Sequence, residues 1–127
     1  MTYSNLVGLY VDLDNKTDFY WNFYVAAALA LVGWILARES PLQRPVKTGL
    51  TLGLAFFWLM NYTALAGTYD LMEACLNEMQ LASDRPAGLH AQLREHVPLG
   101  RSLLVMIHLV VDALLVALLW RHKPASA

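Results

Sequence analysis

Charge is what this sequence has least of: Asp, Glu, Lys and Arg make up 15% of its 127 residues, against about a quarter in ordinary soluble domains. The formal net charge of −1 leaves no basic face of the kind nucleic acid requires, so no nucleic-acid partner is expected. The one cysteine, Cys75, excludes an intramolecular disulfide framework and a multi-cysteine metal site. It sits between Glu73 and Glu78, and neighbouring negative charge disfavours a reactive thiolate. Also missing are a GxGxxG turn, a P-loop, an HExxH helix and a Gly-x-Ser-x-Gly elbow, which removes the common signatures of nucleotide binding, zinc proteolysis and serine hydrolysis. The histidines do not fill the gap. His90 and His96 are badly spaced for one helix face, and His108 and His122 stand about 21 Å apart along a helix, too far to clamp one haem. No cofactor, metal or catalytic residue is expected, and the chain does not read as an enzyme.

What the sequence has instead is apolar length. Hydrophobic residues make up 57% of the chain, and mean hydropathy is +0.42. Three stretches are almost free of charge: 19–37, 48–69 and 102–120. Each holds roughly 20 residues, the number a helix rising 1.5 Å per residue needs to cross about 30 Å of hydrocarbon. The expected fold is therefore all-α and integral to a membrane, one domain over 1–127 with three transmembrane helices in a lipid bilayer. Asp12, Asp14 and Asp18 precede the first stretch with only Lys16 against them. That is the reverse of a signal peptide's basic lead, so this stretch reads as a permanent helix.

Basic residues fix an expected orientation. Arg38, Arg44 and Lys47 lie between the first two stretches, and Arg121 and Lys123 follow the third. The positive-inside rule puts both groups in the cytoplasm, with the N-terminus on the outer, periplasmic side of a cell inner membrane and the C-terminus inside. The outer segments then carry eight of the ten acidic residues. Tyr3, Leu6, Val7 and Tyr10 recur at helical spacing, which predicts a short amphipathic helix lying on the outer surface. Leu71, Met72, Cys75, Leu76 and Met79 extend the second span. The turn signal at 84–88 and the run Leu89, Leu93, Val97 then predict an outer helical hairpin over about 70–100.

Two features could carry function. Ala26, Ala30, Gly33 and Ala37 form one line of small residues in the first span; Gly49, Gly53, Ala64 and Gly67 form another in the second. Such lines let helices approach closely, within the chain, with another copy or with a different protein, and their simplest use is packing within the bundle. The second feature is polar. Asp112 falls near the middle of the third span and His108 one turn before it on the same face, with Arg101 at the outer mouth. Depth counting adds Asn61 and, nearer the surface, Asn22, giving a polar track through the outer half. Intramembrane ionisable groups are costly and mark relays or ion sites, internal polar ties, or a charge pair with another subunit. Each of these uses is open at the level of sequence. The expected function is an accessory, assembly or scaffolding subunit acting through helix packing, as a homo-oligomer or with other membrane subunits. The alternative is a homo-oligomeric channel or proton- or ion-coupled transporter lined by Asp112, His108 and Asn61.

Overall fold

A computed structural model describes residues 2–82, 84, 86, 88–95 and 101–122, the side chains of His90, Arg94, Arg101 and Ser102 excepted. The element order is α1 (Tyr3–Leu36), α2 (Arg44–Leu81), α3 (Leu89–Glu95) and α4 (Arg101–Arg121), with no strand among the described residues. Three of these helices are long and apolar enough to cross a membrane. Two are much longer than that task needs. Helices α1 and α2 hold 34 and 38 residues, about 51 and 57 Å at 1.5 Å per residue, against roughly 30 Å of hydrocarbon. Their surplus lies at one end of the molecule, where they run on together as an antiparallel pair, here termed the stalk.

The stalk corrects one expectation. Tyr3, Leu6 and Tyr10 do not begin a separate surface helix; α1 is continuous from Tyr3 into the apolar stretch. The physical reason is the spacing of its buried residues. Tyr3, Leu6, Tyr10, Leu13, Thr17 and Tyr24 are buried on α1, and Asn61, Leu65, Thr68, Met72, Cys75 and Met79 on α2. Both series alternate steps of three and four, or their sum of seven, which is the seam of a coiled coil. No glycine or proline interrupts α1 between Gly8 and Gly33, so nothing releases the helix from that seam.

Local ties hold the ends. Thr2 caps α1 by accepting from the Asn5 amide at 3.4 Å. The Asp84 carboxylate, from the loop after α2, accepts from the Tyr3 amide with both oxygens at 3.2 Å, an anion at a helix N-terminus. Gly88 turns the chain at a φ of +92°, a left-handed conformation that favours glycine. Helix α3 then folds back on α2, and Leu93 packs against the stalk core. The C-terminal limb of the expected hairpin, including Val97, lies outside the described residues.

At the opposite end the chain leaves α1 at Leu36 and re-enters α2 with Pro45 in its first turn, where a missing amide costs nothing. Helix α4 is fastened here. Lys47 donates to the Trp120 carbonyl at 3.2 Å, and the Trp120 indole donates to Thr51 at 3.1 Å. Arg38 lies over the Trp34 ring at 4.9 Å. The expected basic cluster of Arg38, Arg44, Lys47 and Arg121 thus gathers at the end away from the stalk, while Lys123 lies outside the described residues.

Candidate functional site

Midway along the apolar bundle the three long helices exchange polar contacts. His108 is the centre, with 0% of its surface exposed. Its Nδ1 lies 2.9 Å from the Leu104 carbonyl, and its Nε2 lies 3.2 Å from the Asn61 amide nitrogen. A carbonyl only accepts, so Nδ1 carries the proton and Nε2 accepts from Asn61. Both ring nitrogens are then satisfied within the chain. The ring also packs on Trp21 and Tyr24, with centroids 5.0 and 4.4 Å away. This cluster is a pin joining α1, α2 and α4, since buried polar groups are tolerated when each finds its partner.

Asp112 is different. Tyr24 donates its hydroxyl to Asp112 Oδ1 at 3.1 Å, but Oδ2 is buried with no hydrogen-bond partner among the described residues. The residue lines a groove of about 600 Å3 between α2 and α4, together with Leu54, Ala55, Trp58, Ala113 and Ala117. Trp58 Nε1 is also buried without a partner among the described residues. Asn61 meets His108, and Thr51 meets Trp120; interpolation between those two ties sets Trp58 opposite Asp112. At one level beneath the groove wall, therefore, lie an unanswered acceptor and an unanswered donor.

The expected track divides accordingly. Asn61, His108 and Asp112 are brought together. Asn22 is not: it is exposed on the outer face of α1, although its neighbours Trp21 and Tyr24 pack on His108. Depth counting located its level but not its facing, and the α1 seam turns it outward. Arg101 begins α4, and its side chain is not described. The residue that sequence reading missed is Tyr24. Its signal was its place one heptad after Thr17 on the buried seam, which sets a hydroxyl inside the bundle.

The small-residue lines also fall elsewhere than expected. Ala26, Ala30, Gly33 and Ala37 are exposed, as are Gly49, Gly53 and Gly67, with Ala64 half-buried. A methyl group added at Gly33, Gly49, Gly53 or Gly67 would meet no neighbouring atom within 4 Å. Packing within the bundle is thus not their use, because the 3–4 seam directs the larger Tyr24, Ile35 and Leu65 inward instead. Gly49 and Gly53 border a second gap of about 260 Å3 between α1 and α2, with Ala27, Ala28 and Leu31. Among the described residues no three His, Cys, Asp or Glu side chains gather as a metal site. Compared with known proteins, the chain matches no family model, no curated protein and no solved structure.

Proposed function

We propose that this chain is a small multi-pass membrane protein serving as an accessory, assembly or scaffolding subunit that acts through helix packing. The observation that carries this reading is Asp112 Oδ2, buried without a partner among the described residues beside an open groove. A polar group held in hydrocarbon without a partner costs several kcal/mol, which favours a side-chain rearrangement on docking that opens this oxygen to a donor from another chain. The exposed small-residue line of α1 supports the same reading, because lipid-facing glycine and alanine leave room for another helix backbone.

The arrangement in the membrane follows from charge. Arg38, Arg44, Lys47 and Arg121 at one end favour the cytoplasmic side. The stalk, whose surface carries Asp12, Asp14, Asp70, Glu73 and Glu78, then projects outside a cell inner membrane, with the N-terminus outside and the C-terminus in the cytoplasm. The stalk gives the protein an outer arm of two paired helices, as an assembly factor reaching a second subunit needs.

Native mass spectrometry of the protein extracted gently from its own membrane tests the reading. The expected result is a stoichiometric complex containing a different polypeptide. Recovery of this chain alone, as monomer or as copies of itself, would overturn the accessory role. Proton or ion flux through proteoliposomes of the purified chain, abolished by Asp112→Asn, would replace it with a transport role along the polar track.

A further inference from the structure

We propose that the groove between α2 and α4 is a binding site for one anionic phospholipid. Arg121 and Lys47 hold its phosphate, and one acyl chain lies along the groove toward Asp112. The site rests on the bilayer arrangement above but not on the accessory role, since the lipid fills the groove of the chain before any partner docks.

The lining of the groove passes from charged to apolar, as a phospholipid does. Trp120 and Arg121 stand at one end, and Leu54, Leu109, Ala113 and Val116 line the walls beyond them. Arg121 is exposed, and no carboxylate answers it among the described residues. Lys47 brings a second cation to the same mouth: its ammonium lies 3.2 Å from the Trp120 carbonyl and 5.9 Å from the Trp120 ring. An ammonium carries three donor hydrogens, so that bond leaves others for a phosphate oxygen. The same bond covers a carbonyl that would otherwise turn an anion away from the C-terminus of α4. A guanidinium beside an ammonium suits a phosphate diester, because the flat fork meets two oxygens while lysine adds a point charge. Opposing charge is sparse here. Glu39 is the one acidic residue between Asp18 and Asp70, and Asp112 stands about 14 Å from Arg121 along α4.

Length and level agree with this occupant. From Leu109 to Arg121 the groove runs about 18 Å along α4, against roughly 15 Å for one leaflet's half of the hydrocarbon core. Its volume of about 600 Å3 lies within the roughly 300–1,000 Å3 of small-ligand sites. The tail needs no enclosed atom, since Ala55, Leu109 and Ala113 are all exposed. Tryptophan settles at headgroup level, which puts Trp120 and its two cations beside the phosphates of one leaflet. Basic pockets between spans at such a level take anionic headgroups.

Fluorescence quenching in bilayers tests the site. A Trp34→Phe chain keeps Trp58 and Trp120 at the groove, with Trp21 packed against His108. It is placed in phosphatidylcholine bilayers holding a small, rising fraction of tail-brominated phosphatidylglycerol or of tail-brominated phosphatidylcholine. The anionic lipid should reach half-maximal quenching at a mole fraction about tenfold lower. Arg121→Gln should raise that fraction about fivefold. Ala113→Phe sets a ring where the acyl chain lies and changes no charge, and it should remove most of the preference. Arg44→Gln, at the same end but outside the groove lining, should act far less than Arg121→Gln. Equal quenching by the two lipids in the parent chain would overturn the proposal. So would Arg44→Gln acting as strongly as Arg121→Gln, which marks diffuse attraction to a basic end. Full preference in Ala113→Phe would overturn it as well, since the groove would then hold no tail.

Native mass spectrometry of the unaltered chain, released from bilayers of the same two lipids, avoids the tryptophan change. One phosphatidylglycerol should stay with each chain and be lost from Ala113→Phe. Equal retention of both lipids would overturn the site. A bound lipid and a foreign polypeptide differ in mass, so this site and the accessory role fail separately.

Discussion

The stalk and the apolar bundle are built from the same two helices, yet they are held by different means. In the stalk, Tyr3, Leu6, Tyr10 and Leu13 interlock with Met72, Cys75, Leu76 and Met79 in one buried cluster. In the bundle, the same helix pair separates around a gap beside Gly49 and Gly53, and helix ties pass through Asn61–His108 and Tyr24–Asp112. The difference matches the proposed arrangement, with the stalk in water and the bundle in lipid. Water drives large apolar side chains together at about 25 cal/mol per Å2. Lipid does not, since its tails are as apolar as the side chains, so close packing and hydrogen bonds remain to join helices there. A single heptad seam thus serves as a hydrophobic zipper at one end and as a frame for polar ties at the other.

The comparison breaks most easily in the stalk. Leu76 is 2% exposed, and Leu76→Ala should cost about 2–5 kcal/mol of local stability through lost burial and a residual cavity. Hydrogen exchange should show the loss in amides near Leu6 and Met72, while those of α4 keep their protection. Equal deprotection of α4 would mean that the two halves unfold as one unit. In the bundle the expected effects are smaller and depend on partnership. Asn61→Leu strands His108 Nε2 and should cost about 1–2 kcal/mol in detergent unfolding. Adding His108→Leu should recover part of that loss, because removing both partners leaves no unanswered group. A strictly additive cycle would show that the two side chains do not act as a pair.

How much of this was legible in the sequence depends on which force placed each residue. The three apolar helices could be read because a water-soluble chain this short could not cover three uncharged runs of roughly 20 residues each. The Asn61–His108 pairing could be read from depth, since buried polar groups in adjacent spans seek one another. The continuity of α1 was obscured by Asp12, Asp14, Lys16 and Asp18, which look like a boundary. They cover the outer side of a seam whose inner side carries Leu13 and Thr17, and only the three-four spacing reveals this. The small-residue lines misled for a related reason. Their presence marks where a helix can be approached, but the facing is set by the bulky seam residues competing for the interior. Asn22 illustrates the limit: its depth follows from counting, its direction only from Tyr24 and Thr17 turning inward.

The smallest expected effect makes the sharpest test of whether the stalk is a closed core outside the lipid. Cys75 Sγ donates to the Leu6 carbonyl at 3.2 Å, and burial pushes the thiol pKa above its ordinary value. The folded stalk therefore holds this proton more tightly than an opened stalk does. The contribution to stability is fully present below the ordinary thiol range near ~8.5 and is lost as pH rises from there through the folded value. Labelling of Cys75 by an aqueous maleimide should be slow at neutral pH and should accelerate at alkaline pH more steeply than thiolate formation alone would require. The excess reports opening of the α1–α2 seam, since the reagent reaches the sulfur only when Leu6 moves away. Leu76→Ala should then bring fast labelling down to neutral pH, whereas Asn61→Leu should leave it unchanged if the two halves are independent. A rate that simply follows thiolate formation in all three proteins would show that Cys75 is accessible in the folded stalk, and that the seam does not close over it.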